Sequence, residues 1–138
     1  MKKMVVGLIL ASLVGVSQAR SAVPLVEPDR VVLVAGQSAL TPDQVKQAIV
    51  RGSAKLGWTV ASDEPGKLRL KYNKQNKHEV VVDVSYDNAG FQVRYVNSVN
   101  MKYEQVNGVA HIHPFYNTWV SNLSRAISSE ASGTPAAQ

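Results

Sequence analysis

The sequence contains no cysteine, which excludes disulfide bonds, thiol chemistry and attachment of a lipid through a cysteine. It also contains no apolar run of the roughly 20 residues that a membrane-spanning helix needs. Positive charge is moderate, because the net charge of +5 includes Lys2 and Lys3 at the N-terminus. Nucleic-acid-binding domains are usually much more basic, so we expect no nucleic-acid partner. These absences predict a small protein that is held together by the packing of its core.

The first 19 residues have the layout of a secretory signal peptide. Lys2 and Lys3 precede an apolar run from Met4 to Val16, and Ser17-Gln18-Ala19 forms a small-x-small site. We therefore predict that residues 1–19 are a leader cleaved after Ala19. The mature protein is then expected in the periplasm, with no transmembrane segment left after cleavage.

Composition divides the remaining chain into three parts. Residues 20–40 are interrupted by prolines, which is typical of a linker, and Val31–Val34 is a candidate edge strand. Residues 41–128 carry regular apolar patterns and are predicted to form a single α+β domain. Residues 129–138 are small and polar, which predicts a disordered tail.

Several signals for the start of a helix coincide at Thr41. Threonine is a favoured N-cap, Pro42 suits the first helical position, and Gln44 completes a capping box. Apolar residues then recur at steps of three and four, and Gly57 suits a left-handed turn at the helix end. The pattern predicts a helix over about 42–56.

Beyond Gly57 the apolar period changes to two, which predicts β-strands. Turn signals separate four such strands, which begin near Trp58, Lys67, His78 and Phe91. We expect them to pair as an antiparallel meander. Their aromatic and aliphatic side chains alternate onto one face, which we assign to the core and not to base stacking: Trp58, Val60, Leu68, Leu70, Tyr72, Val80, Val82, Val84, Tyr86, Phe91, Val93 and Tyr95.

A second helix is predicted from Pro114, because Tyr116, Val120 and Ile127 follow helical spacing. The segment between the last strand and this helix is irregular, with a turn at Asn107-Gly108. The expected fold is a four-stranded antiparallel meander with an N-terminal and a C-terminal helix on one face. With the additional N-terminal strand, the element order is that of helix-grip or TATA-binding-like domains, an analogy of order alone.

His111 and His113 are the candidate metal ligands, because alternate residues of an extended segment project to the same side. Two imidazoles do not complete a site, and no spacing points to a third ligand at His78, Glu104 or another carboxylate. The alternative is that the rings form hydrogen bonds near the start of the last helix. We favour this alternative and expect no metal or other cofactor.

The outer face of the predicted sheet carries the candidate residues for binding a ligand or partner: Lys67, Arg69, Lys71 and Arg94. Only Asp83 is expected to offset them on this face. Such a basic surface suits an anionic partner. A solvated face explains it as well, because antiparallel sheets commonly leave one polar face to water.

No catalytic signature is present in the sequence. It has no thiol nucleophile, no G-x-S-x-G elbow and no serine that a motif ties to a histidine. We therefore predict a non-catalytic periplasmic protein that binds an envelope component or a protein partner. Two alternatives stay open, namely a metal-binding protein that uses His111 and His113, and a small hydrolase with a site in its loops.

Two strings near the C-terminus carry a family resemblance. S-V-N-M-K-Y begins at Ser98, and H-I-H-P-F-Y-N-T-W-V-S-N-L begins at His111. The chain resembles a family of small exported proteins and lipoproteins of Gram-negative bacteria without an assigned activity, which show S-x-N-L-x-Y and then I-H-x-x-Y-N-x-W-x-x-N-L. The matching positions are Ser98, Asn100, Tyr103, Ile112, His113, Tyr116, Asn117, Trp119, Asn122 and Leu123. The resemblance implies a fold and an envelope location, and this chain departs from the lipoprotein members because it has no cysteine.

The matched residues also have a structural interpretation. Tyr116 and Trp119 are expected to supply apolar area to the core. The polar members of the motif suit hydrogen bonds that fix the connection between the last strand and the helix: Ser98, Asn100, His113 and Asn117.

Overall fold

The computed structural model describes residues 21–34 and 39–133 of the chain. The predicted leader with its cleavage site at Ala19 lies outside the described residues. The elements in chain order are β1 (Val23–Pro24), β2 (Val31–Val32), α1 (Pro42–Lys55), β3 (Thr59–Glu64), β4 (Lys67–Lys74), β5 (His78–Tyr86), β6 (Gly90–Val99), β7 (Glu104–Val106), β8 (Val109–Ile112) and α2 (Phe115–Ser132). Two helices with antiparallel sheets confirm the predicted α+β class.

The start of α1 is capped as the sequence predicts. The Gln44 amide N–H donates to the Thr41 hydroxyl at 3.1 Å, and the Thr41 N–H donates to the Gln44 side-chain oxygen at 2.9 Å. This capping box satisfies two backbone N–H groups at once and fixes the first turn of the helix. Beyond the helix, Gly57 has a φ of +87°, the left-handed conformation that its position in the sequence predicts.

The main sheet has five antiparallel strands in the order β2-β6-β5-β4-β3. The predicted meander of four strands is therefore extended by β2, at the position of the candidate edge strand. A Cβ at Gly90 would lie 2.1 Å from the carbonyl oxygen of Val31. Glycine at this position therefore allows β2 to pair with the start of β6.

A second sheet was not predicted from the sequence. Its three strands lie in the order β1-β8-β7, with antiparallel pairing throughout. The predicted turn at Asn107-Gly108 is confirmed, because both residues have positive φ and join β7 to β8. Strand β1 lies in residues 20–40, which the composition predicts to be a linker. Its pairing with β8 holds this part of the chain against the domain.

The core lies between the inner face of the five-stranded sheet and the two helices. Alternate residues of the central strands are buried there, as the alternation predicts, and the fully buried ones include Leu68, Leu70, Val80, Val82, Val84 and Phe91. Helix α1 contributes Val45, Ala48 and Ile49 to the same cluster, and α2 contributes Tyr116, Val120, Leu123 and Ile127. Burial of these side chains is the main favourable term in the free energy of folding.

The prediction that Val60 lies in the core is wrong. Val60 is 44% exposed, and every residue of β3 is exposed. The strand lies at the edge of the sheet, and its register against β4 shifts between Val60 and Ser62. An edge strand with a bulge has fewer neighbours to cover its side chains, which the alternation of the sequence does not reveal.

The two helices approach most closely at Gly52 of α1. A Cβ at this position would lie 2.8 Å from the backbone nitrogen of Ile127 and 2.9 Å from the carbonyl carbon of Ala126. Glycine therefore lets the two backbones touch, while a larger residue would force them apart. This close contact fixes the position of α2 relative to α1.

Helix α2 continues to Ser132, past residue 129, where the sequence predicts the tail to begin. Ala131 is buried in the core, and Glu130 accepts hydrogen bonds from Lys55 and from Arg51, the latter at 3.1 Å. These contacts with α1 hold a stretch whose composition alone suggests disorder. Neither helix in the described part of the chain is long and apolar enough to cross a membrane.

Candidate functional site

Three aromatic rings meet beside the end of α1. Tyr72 lies on the inner face of β4, and its ring centroid is 5.3 Å from that of Trp58, which precedes β3. Trp119 of α2 packs edge-on against Tyr72, with a centroid distance of 4.9 Å. The segment between α1 and β3, strand β4 and the second turn of α2 thus each contribute one ring.

These rings border an open cleft of about 220 Å³, here called the aromatic cleft, which is lined by Leu56, Trp58, Tyr72, Trp119 and Asn122. Trp58 is 4% exposed and forms the floor, whereas Leu56 is 38% exposed and forms part of the rim. A cavity of about 150 Å³ can hold benzene, and sites for drug-sized ligands begin near 300 Å³. The cleft therefore has room for one six-membered ring or a group of similar size.

Asn122 is the polar side chain in the lining. The guanidinium of Arg125 donates to Asn122 Oδ1 at 2.7 Å, so the atom that faces Arg125 is the carbonyl oxygen. Within the described residues the amide nitrogen, Nδ2, has no hydrogen-bond partner. Asn122 can therefore offer N–H donors to a ligand in the cleft.

Lys74 adds a positive charge next to the cleft. It lies two residues after Tyr72 and so on the same face of β4. Its ammonium nitrogen is 5.1 Å from the ring centroid of Phe115 and 5.8 Å from that of Trp119, which is the geometry of a cation–π contact. Among the described carboxylates, none forms an ion pair with Lys74.

The row of rings continues from Trp119 through Phe115 to His113 and His78. The centroid distances are 5.6 Å from Trp119 to Phe115, 4.4 Å from Phe115 to His113 and 6.2 Å from His113 to His78. His113 Nδ1 accepts the N–H of Phe115 at 3.1 Å, so this nitrogen carries no proton. His78 Nδ1 lies 2.8 Å from the carbonyl oxygen of Asn100 and must donate, so it carries the proton.

The two candidate metal ligands occupy different surroundings. His111 Nδ1 lies 3.0 Å from the carbonyl oxygen of Val109 on its own strand, and the His113 ring packs at a tilt against the rings of His78 and Phe115. In the ranges 21–34 and 39–133, no three His, Asp or Glu side chains are grouped so that they could hold a metal ion. His113 forms its hydrogen bond at the start of α2, whereas the contact of His111 lies within β8.

Asn117 of the motif ties the N-terminal segment to α2. Its Oδ1 accepts the N–H of Val26 at 2.9 Å, and its Nδ2 donates to the carbonyl oxygen of Pro24 at 3.0 Å. These two bonds hold the segment that contains β1 and not the strand-to-helix connection for which the residue was expected. The connection itself is held by the backbone N–H of His113, which donates to the carbonyl oxygen of Met101 at 2.7 Å.

Asn100 and Ser98 of the motif stabilise the neighbouring turn and strand. Asn100 Nδ2 donates to the carbonyl oxygen of Lys77 at 3.0 Å, and Ser98 Oγ lies 2.8 Å from the hydroxyl of Tyr95. Tyr103 stacks on Tyr95 with a centroid distance of 4.7 Å and nearly parallel planes. Ser98, Asn100 and Tyr103 therefore contribute to packing around the C-terminal end of β6.

Tyr116 and Trp119 differ in burial. Tyr116 is fully buried and its hydroxyl has no hydrogen-bond partner within the described residues. This burial raises the pKa of the Tyr116 hydroxyl far above its usual value. Trp119 is half-buried and packs against the core from the side of the aromatic cleft, so it belongs to the site as much as to the core.

The basic residues of the outer face each lie beside a carboxylate. Arg69 donates to both oxygens of Asp83, at 2.9 and 3.1 Å, and this contact lowers the pKa of Asp83. The other three form longer contacts, namely Lys67 with Glu64 at 3.5 Å, Lys71 with Glu79 at 3.2 Å and Arg94 with Glu27 at 3.7 Å. Asp83 is thus one of four carboxylates that offset these cations. The net charge of the outer face is therefore less positive than the sequence predicts.

The aromatic cleft was not predicted from the sequence. Trp58 and Tyr72 are predicted to lie in the core, and in the structure Trp58 is buried while Tyr72 is partly buried against it. Leu56 belongs to the predicted apolar stripe of α1 but is 38% exposed, and Lys74 is one of the basic residues clustered between Lys46 and Lys77.

One indication of the cleft was present in the sequence, because Trp119 and Asn122 are three residues apart and therefore lie on one face of α2. Their neighbours in the cleft come from other elements and could be identified only from the folded structure.

Comparison of the chain with protein-family models, with curated proteins and with solved structures finds no match. The resemblance carried by the strings at Ser98 and His111 therefore stays a prediction.

Proposed function

We propose that this is a non-catalytic, exported protein that binds a component of the bacterial envelope or a protein partner through the aromatic cleft. The observation that carries the proposal is the meeting of Leu56, Trp58, Tyr72, Trp119 and Asn122 around one open cleft. Binding sites commonly combine apolar and aromatic walls with a few polar groups that orient the ligand. Here Asn122 and the neighbouring Lys74 supply the polar groups.

The chemistry of the lining favours binding over catalysis. Indole, alkyl and amide side chains do not act as general acids or bases near neutral pH. None of the five lining residues is a usual nucleophile paired with a base. The cleft can therefore hold and orient a group without a chemical step.

A crosslinking pull-down from intact cells tests the role of the cleft. Leu56→Glu places a charged side chain at the rim, and we expect it to lower recovery of a crosslinked partner about tenfold or more. Val60→Glu is the matched control, because Val60 is similarly exposed but does not line the cleft. Equal recovery with Leu56→Glu and Val60→Glu would contradict the proposal.

The outer sheet face is tested in the same experiment. Replacing Lys67, Arg69, Lys71 and Arg94 together with glutamine should leave partner recovery unchanged, because carboxylates already offset these cations. Loss of the partner in this variant alone would move the binding surface from the cleft to the outer face.

Export is tested by intact mass measurement on periplasmic and cytoplasmic fractions. The expected mature chain begins at Arg20 and is found in the periplasmic fraction. A chain that retains Met1 and stays in the cytoplasmic fraction would overturn this part of the proposal.

A further inference from the structure

We propose that the aromatic cleft binds one ring of an acidic saccharide, with the ring against Tyr72 and Trp119 and its anionic group toward Lys74. This inference rests on the proposed function and names the class of ligand. Three features of the cleft support it: its size and aromatic walls, the hydrogen-bonding groups it presents, and the charge beside it.

The size and walls of the cleft suit a sugar ring. A pyranose has apolar C–H groups on its faces and hydroxyl groups around its edge, so it can stack on an aromatic ring while its edge stays polar. The volume of about 220 Å³ admits one such ring, and the cleft is open enough for a longer chain to continue into solvent. A longer saccharide would therefore place one unit in the cleft and leave the others outside it.

The amide of Asn122 and the ammonium of Lys74 offer hydrogen-bond donors at the cleft, and the Tyr72 hydroxyl can both donate and accept. Arg125 occupies Asn122 Oδ1, which leaves the N–H groups of Nδ2 for a ligand. The ammonium of Lys74 also has donors only. A ligand that matches these groups must bring acceptors, as the hydroxyl, acetamido and carboxylate oxygens of a saccharide do.

The charge beside the cleft selects an anion over a cation. Aromatic rings can also enclose a quaternary ammonium group. Here, however, the ammonium of Lys74 already lies over Phe115 and Trp119 and would repel a second cation. Within the described residues no carboxylate forms an ion pair with Lys74, so its positive charge beside the cleft is not offset by a direct partner.

Binding of two related disaccharides to the mature protein tests the inference. The probes are a disaccharide that contains N-acetylmuramic acid, which carries a carboxylate, and the neutral disaccharide chitobiose. Tryptophan fluorescence and isothermal titration calorimetry measure both affinities. We expect the acidic probe to bind about tenfold more tightly, the usual effect of one charge-assisted hydrogen bond, and this preference to weaken with added salt.

Lys74→Gln separates the charge from the stacking. This variant should lower the affinity for the acidic probe about tenfold and leave that for chitobiose unchanged, while Lys71→Gln on the outer face should alter neither. Thermal unfolding of each variant confirms that it is folded. Equal affinity of the native protein for both probes, or a preference that survives Lys74→Gln, would overturn the inference.

The outcomes distinguish this inference from the proposed function. If neither disaccharide binds but Leu56→Glu still prevents partner recovery, the saccharide assignment is wrong and the cleft remains the binding site. If Leu56→Glu has no effect on partner recovery or on saccharide binding, the proposed function fails and the inference fails with it.

Discussion

The helix crossing at Gly52, here called the closed end, differs in packing from the aromatic cleft at the α1 C-cap one turn further along the chain, here called the open end. At the closed end, Gly52 of α1 brings its backbone against that of Ile127 in α2, and Ile127 is fully buried. At the open end, Leu56 and Asn122 remain partly exposed at the aromatic cleft, and Trp119 is half-buried. The same pair of helices therefore provides both the tightest packing and the candidate binding site.

The difference between the two ends follows from side-chain size. A glycine at a crossing lets backbones touch, so few gaps remain there. At the open end three large rings are among the lining side chains, and they border a cleft of about 220 Å³ without filling it. We infer that stability resides mainly at the closed end and ligand contact at the open end.

Ile127→Ala should have the largest effect on stability. Removing a fully buried isoleucine side chain next to the crossing leaves a cavity, and the expected loss is about 2–5 kcal/mol. Urea unfolding followed by far-UV circular dichroism measures the change. A loss below about 1 kcal/mol would show that the closed end can collapse around the missing side chain.

Trp119→Ala should cost less, about 2 kcal/mol, although the residue is larger. Fully buried tryptophan typically costs about 3–5 kcal/mol, and Trp119 is half-buried. The same unfolding experiment compares this variant with Ile127→Ala. A cost above that of Ile127→Ala would reverse the comparison and make the open end the more important one for stability.

Gly52→Ala should destabilise the protein by about 1 kcal/mol. The added methyl group meets the α2 backbone, at an expected cost of about 1–3 kcal/mol, while alanine returns about 1 kcal/mol through its higher helix propensity. Gly133→Ala is the matched control, because a Cβ at this position would lie 3.7 Å from its nearest neighbour, Glu130 O, and meet no clash. A stabilising Gly52→Ala would show that the crossing can widen without strain.

Replacing Glu130 at the closed end should have the smallest effect on stability. The effect should appear as a change in how the stability of the protein depends on pH. Hydrogen bonds from Lys55 and Arg51 hold the pKa of Glu130 below its usual value of about 4.3. The stabilisation is therefore present above that pH and is lost as the pH falls through the lowered pKa.

Glu130→Gln should reduce this loss of stability at low pH, so the thermal midpoint should fall less steeply when it is measured from about pH 7 down to about pH 2. Glu104→Gln serves as the control, because Glu104 is exposed on β7 and forms no ion pair within the described residues. If the thermal midpoint of Glu130→Gln falls as steeply at low pH as that of the native protein, carboxylates other than Glu130 cause the loss of stability.

Much of the fold could be predicted because its signals are local. The capping box at Thr41, the left-handed Gly57 and the alternation along β4, β5 and β6 depend on neighbouring residues, and all are confirmed. The three-stranded sheet could not be predicted, because β1 and β8 are short and distant in sequence. Val60 was misassigned because exposure at a sheet edge depends on what lies beside the strand.

The sequence by itself determined the α+β class, the position and cap of α1, the course of the meander and the residues of its inner face. Only the tertiary structure decided that Leu56, Trp58, Tyr72, Trp119 and Asn122 share one cleft, and that four carboxylates from three segments offset the outer face. The physical reason is the range of the interactions. Caps and strand periodicity act within a few residues, whereas a cleft depends on how closely distant elements can pack.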